Sequence, residues 1–302
     1  ALLDQTNKSI LSHSGKQLRP MLTLLMAKTC SGGEVTPATI NYAAASELLH
    51  NATLLHDDVA DGSEKRRGVP TIMSLMGPSV SVLLGDYWLV KAVELVLGDP
   101  DGDSAGDMRV IRLFSKTLSD LAEGEMLQLQ KAQSGDTDES DYLKIIYNKT
   151  ASLFEAACVS AAVSVGALEK YVKAARDYAV ALGLAFQIKD DIFDYNPSDS
   201  LGKPSGNDMK EGKLTLPALY VLNAFGDESM KNLALKIRSL EATDEEITLF
   251  IDYIKRNGGI EYAEQTMQQY RQKAIDLLPE GIDEMVRTAI IAYMDAVINR
   301  KK

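Results

Sequence analysis

The chain of 302 residues is 45% hydrophobic, 25% charged and 6% aromatic, the make-up of an ordinary globular protein, which excludes the disordered, collagen-like and membrane-spanning classes. A formal net charge of −11 argues against generic attraction to nucleic acid or to an anionic membrane, so any anionic ligand has to be met by locally placed cations. The two cysteines, Cys30 and Cys158, lie in apolar stretches without Cys-x-x-Cys spacing and read as reduced, buried thiols of a cytoplasmic protein rather than a metal knuckle or a disulfide framework.

Helical periodicity recurs along the chain and strand-like alternation is hardly seen, so the expected fold class is all-α. Thr36 and Pro37 form an N-cap and first-turn pair opening a helix predicted to run to Asp61, where Gly62 offers a stop. A second helix is predicted from Pro78 to about Leu97 and a third from about Asp107 to Gln133, the acidic turn between them reading as a surface loop. The stretch from Ser152 to Leu168 is rich in Ala, Ser and Gly, which lets neighbouring helices approach closely. A long helix from about Tyr171 to Tyr195 is stopped by Asn196 and Pro197, and shorter amphipathic helices follow from Leu214 to about Arg300. Roughly a dozen helices in one bundle are expected, with no Pro/Ser linker dividing residues 1–302 into domains.

One pattern occurs twice. The first long helix ends His56, Asp57, Asp58, Val59, Ala60, Asp61, and the later one ends Lys189, Asp190, Asp191, Ile192, Phe193, Asp194, both reading DDxxD. Positions i and i+4 lie about 40° apart on a helix, so Asp57 stacks on Asp61 and Asp190 on Asp194. Like charges at that spacing repel, and anions at a helix C-terminus oppose its dipole. Two such violations in apolar surroundings point to a missing cation. Oxygen ligands without Cys and with little His favour Mg²⁺, which keeps water and shares phosphate oxygens with a substrate.

Other metal chemistries fail on counting. A di-iron bundle needs two Glu-x-x-His elements, and only Glu47 to His50 supplies one. An EF-hand loop begun at Asp57 would put Val59 and Gly68 where carboxylates are required. A phosphohydrolase of the HD type would need more histidines than three scattered ones. No GxxxxGK[ST] and no GxGxxG is present, which argues against nucleoside triphosphate chemistry.

Cations collect in short places. Lys16 and Arg19 stand in GKQLRP at a helix start, where backbone N–H groups add to the attraction for phosphate. Arg66 and Arg67 follow the first acidic cluster, Lys149 and Thr150 lie within a predicted helix, and Lys203 and Lys213 lie in the Gly-rich loop GKPSGNDMKEGK after the second cluster. Carboxylates, Mg²⁺ and such cations together make a site for diphosphate esters.

With these motifs in order, GKQLRP, ELLHNATLLHDDVADGSEKRRGVPT, GDYWL, EGEMLQL, KTASLF, FQIKDDIFDY and GKPSGNDMKEGKLTLP, the sequence resembles the trans-isoprenyl diphosphate synthases, specifically their polyprenyl, octaprenyl-like branch. The resemblance implies an all-α bundle around a central active-site cavity, usually a homodimer, that adds isopentenyl diphosphate head-to-tail to an allylic diphosphate. It implies that Asp57, Asp58, Asp61, Asp190, Asp191 and Asp194 hold Mg²⁺, three ions once substrate is bound, and that Arg66, Lys149, Thr150, Gln187 and Lys203 contact the allylic diphosphate with Lys213 closing over it. Lys16, Arg19, His50 and Arg67 would hold isopentenyl diphosphate. Ala52 and Thr53, beneath the first cluster, would form the floor that sets product length, and their small side chains imply a medium or long polyprenyl product, handed on to membrane enzymes. A short-chain synthase and a non-catalytic subunit of a heteromeric synthase are the alternatives. A terpene cyclase would replace the second DDxxD by an Asn/Ser/Glu motif, and a squalene synthase-like enzyme would lack GKxLRP and the Arg pair.

Overall fold

Capping residues decide where the helices begin. The computed structural model describes residues 15–66, 68–98, 106–134, 138–195 and 206–300, together with Leu3 and Asn7. The chain forms two compact units, one built from Ala1–Ser115, Ala156–Ala175 and Pro279–Ile290, the other from Lys116–Glu155, Arg176–Leu278 and Ile291–Lys302. Among the described residues no helix is long and apolar enough to cross a membrane.

In the first unit α1 (Leu18–Ser31) is followed by α2 (Pro37–Ala60). Thr36 accepts a hydrogen bond from the Thr39 amide while Thr39 Oγ1 accepts one from the Thr36 amide, a reciprocal cap with Pro37 in the first turn. The helix ends one residue before the predicted Asp61, which is the C-cap, with Gly62 at a φ of 62° just beyond. A two-residue hairpin follows, β1 (Lys65–Arg66) antiparallel to β2 (Val69–Pro70), which strand periodicity is too short to reveal. Then come α3 (Ile72–Met76) and α4 (Pro78–Leu97), the latter with its predicted bounds. Helices α2 and α4 pack closely because Gly85 has no side chain: a Cβ there would lie 2.4 Å from His56 Nε2. Ser81 Oγ donates to the Leu55 carbonyl (2.8 Å), and Ala52, Leu55, Ile72, Leu84 and Trp88 form a buried cluster under the end of α2.

Helix α5 (Met108–Ser134) leads to α6 (Glu139–Ile146). Five residues, Tyr147–Ala151, then wind as a π-helical turn, in which the Ser152 amide reaches the Tyr147 carbonyl, before α7 (Ser152–Ser164) and α8 (Glu169–Tyr195). Lys149 and Thr150 therefore lie in a π turn, a widening that leaves no mark in hydrophobic periodicity. The second unit continues through the short α9 (Asn207–Lys210), α10 (Leu216–Phe225), α11 (Glu228–Arg238), α12 (Asp244–Arg256) and α13 (Gly259–Asp276), and the last helix of the chain is α14 (Glu284–Ile298). Tyr195 at the end of α8 is buried among Met209, Val221, Leu222, Ile237 and Phe250, fixing the direction in which the second acidic cluster leaves the helix.

Candidate active site

In the first unit the three acids of the first DDxxD, at the end of α2, divide. Asp58 is buried and accepts a hydrogen bond from Arg66 Nε at 2.8 Å. The hairpin brings Arg66 back to that carboxylate, anchored by Thr71, whose amide donates to the Glu64 carbonyl (3.0 Å) and whose Oγ1 donates to the Ser63 carbonyl (2.7 Å). A buried charge is tolerated when it is paired, so Asp58 is committed to Arg66. Asp57 is partly buried and Asp61 exposed, one helical turn apart on the same face.

The remaining predicted residues of this unit keep to their elements. Lys16 is exposed just before α1 and Arg19 is buried in its first turn. His50 sits partly buried on α2, and the Thr53 hydroxyl donates to its carbonyl at 2.8 Å. Ala52 is fully buried, so a larger side chain there would press on the cluster containing Leu84 and Trp88. Arg67 lies outside the described residues, as does Lys203.

The second unit holds a connected polar array. Thr150 Oγ1 donates to Gln187 Oε1 (2.7 Å), Gln187 Nε2 donates to Asp191 Oδ1 (2.9 Å), and Tyr142 Oη donates to Asp191 Oδ2 (2.6 Å). Lys149 Nζ reaches Glu125 Oε1 (2.7 Å) and donates to Gln128 Oε1 (2.9 Å), both from EGEMLQL. Lys213 pairs with Glu211 at 2.5 Å. Asp194 accepts from the Asn207 amide (2.9 Å) and the Asp208 amide (3.0 Å), so its carboxylate caps α9. Asp190 pairs with Arg300. Lys149, Gln187, Asp191, Asp208 and Lys213 all line one cavity of about 210 Å³, which Tyr142, Lys131 and Arg238 also border.

Sequence reasoning missed Tyr142, Asp208 and Arg300. Asp208 stands inside the quoted GNDMKEGK, so its signal was present; Tyr142 meets its partner across 49 positions and carried none.

Burial pushes the Asp191 carboxyl up from 3.8 to about 6, the hydrogen bonds from Tyr142 and Gln187 offsetting this in part while Asp190 and Asp194 add to it. Burial, with Asp191 beside it, also raises Tyr142, so the phenol stays a donor. A carboxyl whose folded pKa lies above its unfolded value favours the native state at low pH and loses that advantage as pH rises through the folded value. In chelator, urea unfolding should show wild type losing stability relative to Asp191→Asn between about pH 4 and 6. A difference independent of pH would contradict a buried, raised Asp191.

The donor set suits Mg²⁺. Both clusters offer oxygen alone, although among the described residues no three His, Cys, Asp or Glu side chains converge to hold a metal ion. Mg²⁺ is typically held by one or two carboxylates with water and phosphate oxygens completing the shell, which two carboxylates one turn apart satisfy.

A family model described as polyprenyl synthetase matches residues 1–254. The chain belongs to the polyprenyl synthetase family. It is 34% identical over 302 residues to octaprenyl diphosphate synthase of Escherichia coli strain K12, covering 100% of this chain and 91% of that protein. A geranylgeranyl pyrophosphate synthase crystal structure from Bacteroides thetaiotaomicron is 41% identical with a TM-score of 0.84, covering 99% of this chain and 93% of the other. A polyprenyl synthase from Caulobacter crescentus CB15, crystallised with calcium and isoprenyl diphosphate, is 33% identical with a TM-score of 0.87, covering 100% and 90%. As a polyprenyl synthetase, the chain is a prenyltransferase that extends an allylic diphosphate with isopentenyl diphosphate, and its fold is all-α as the sequence predicts.

Proposed function

We propose that this prenyltransferase is Mg²⁺-dependent and makes a medium- or long-chain trans-polyprenyl diphosphate, with residues 1–302 acting as one synthase domain. The observation that carries the reading is the meeting of Lys149, Gln187, Asp191 and Lys213 on one cavity. Bound at Asp57 and Asp61 and at the second cluster, Mg²⁺ would supply positive charge to the departing diphosphate, three ions being the number the resemblance implies. The calcium and isoprenyl diphosphate of the Caulobacter crescentus relative support a divalent ion acting with substrate.

The chain's own residues divide the work. Lys149 and Lys213 add charge to the leaving diphosphate, and Thr150 and Gln187 orient its oxygens, held by the hydrogen bonds that run on to Asp191 and Tyr142. Arg66, fixed by Asp58, and Lys203 are the further cations that the resemblance assigns to the allylic diphosphate. Lys16, Arg19, His50 and Arg67 bind isopentenyl diphosphate. Ionisation of the allylic C–O bond leaves a cation that the isopentenyl double bond attacks, and a proton is then lost, so no side-chain nucleophile is required. Two copies associate through α4, whose Leu83, Val90 and Leu97 are 68%, 52% and 48% exposed at seven-residue spacing, an apolar stripe suited to a second copy. The protein acts in the cytoplasm and passes its apolar product to membrane enzymes.

The deciding experiment is incubation with Mg²⁺, radiolabelled isopentenyl diphosphate and farnesyl or geranyl diphosphate, followed by product sizing. Chelator-sensitive incorporation into chains longer than geranylgeranyl is expected, and no incorporation with either starter would overturn the reading. The 41% identity to a geranylgeranyl pyrophosphate synthase favours the short-chain alternative, which the same sizing decides. Thr53→Phe tests the floor: Thr53 is only partly buried, so a ring can be accommodated, and a shorter product is expected on chromatography. An unchanged product length would remove Thr53 from the floor.

A further inference from the structure

Arg300, just past α14, is held with unusual completeness for a residue outside any helix. Its Nη2 lies 2.5 Å from Asp190 Oδ1, and its guanidinium lies over the Phe186 ring at 3.7 Å. Nη1 donates to the Val297 carbonyl at 3.2 Å and Nη2 also approaches the Phe186 carbonyl at 3.4 Å. The Phe193 ring lies 5.9 Å away on the same face of α8, and the Arg300 side chain is only 11% exposed. A guanidinium does not lose its proton at physiological pH, and it tolerates dehydration over an aromatic ring better than an ammonium does. Asp190 therefore carries a permanent, sheltered positive partner.

That partner occupies the carboxylate whose position, first in the second DDxxD, marks it as a metal ligand. A guanidinium and a divalent cation compete for the same oxygen, and two cations at one carboxylate repel. We propose that Arg300 is a resident counter-ion of the second acidic cluster, neutralising Asp190 until a divalent cation takes its place, so that metal loading there is an exchange rather than an addition. The inference rests on the reading of Asp190 as a metal carboxylate. It accounts for how α8 carries Asp190, Asp191 and Asp194 at its C-terminal end: Arg300 answers the first, hydrogen bonds the second and the α9 amides the third.

The test is Mn²⁺ binding, in place of Mg²⁺, to chelator-stripped protein followed by electron paramagnetic resonance, with no substrate present. Asp190→Asn should abolish one class of sites. Arg300→Gln should tighten that class by roughly three- to tenfold, the range a charge-assisted contact gives when its guanidinium is sheltered and its carboxylate half-exposed. Arg300→Lys, which keeps the charge, should stay near wild type, a distinction that a merely structural arginine would not produce. Affinity unchanged or weakened in Arg300→Gln, with the Asp190→Asn class still lost, overturns the exchange alone. If Asp190→Asn leaves Mn²⁺ binding intact, the metal reading of the cluster falls and the exchange with it. Should Arg300→Gln not fold, wild type decides: phenylglyoxal modification of Arg300, followed by mass spectrometry, should accelerate when Mn²⁺ is added, and an unaltered rate would sink the exchange.

Discussion

Asp57→Asn should lower kcat/KM for isopentenyl transfer by about 10²–10³, the loss typical when positive charge at the developing anion is weakened, here because the proposed Mg²⁺ loses a carboxylate that holds it. The structure separates this acid from its neighbour. Asp57 and Asp61 lie one turn apart, whereas Asp58 is buried and accepts the Arg66 Nε hydrogen bond. Asp58→Asn should therefore act through Arg66, raising KM for the allylic diphosphate more than it lowers kcat, while Asp57→Asn should lower kcat and raise the Mg²⁺ concentration needed for half-maximal rate. Steady-state kinetics across a Mg²⁺ series distinguishes the two. Identical kinetic signatures for both variants would show that the three acids act as one undivided cluster.

The fold was legible where single residues dictate backbone geometry. Thr36 with Pro37 and Pro78 mark helix starts that the structure reproduces, and α8 ends at Tyr195 as predicted. The acidic motifs were legible too, because like charges at i, i+4 are conspicuous against apolar sequence. What escaped was whatever depends on distant partners. Asp58 and Asp57 look equivalent in sequence, and only the hairpin that returns Arg66 tells them apart. Asp194 reads as a ligand from its motif alone, and the further contact of its oxygens with the amides that open α9 is made by residues well downstream. Arg300 comes from the far end of the chain to meet Asp190, and no local pattern announces it.

Gly183→Ala is expected to cost about 1–3 kcal/mol of stability, the usual range for overpacking, and to lower turnover about 10²-fold, as a displacement near 1 Å in a substrate-holding group does. Glycine inside a helix is disfavoured against alanine by about 0.5–1 kcal/mol, so two of them beside the π turn call for a reason. A Cβ on Gly183 would lie 2.5 Å from Ala151 Cα, and one on Gly124 would lie 2.8 Å from Asn148 Cβ and 2.9 Å from Lys149 Cγ. Both glycines thus make room for the turn that presents Lys149 and Thr150. The Gly183 clash is the tighter and meets backbone directly, at 2.5 Å from Ala151 Cα, whereas a Cβ on Gly124 would meet Asn148 Cβ at 2.8 Å and the more yielding Lys149 Cγ at 2.9 Å, so Gly183→Ala must shift the turn further. Gly183→Ala should therefore be the more damaging, with its loss concentrated in steps that involve the allylic diphosphate and with little change in KM for isopentenyl diphosphate. Urea unfolding measures the stability and two-substrate kinetics the split. Equal losses for both substrates in a stably folded Gly183→Ala would mean that the turn's register does not position Lys149 and Thr150.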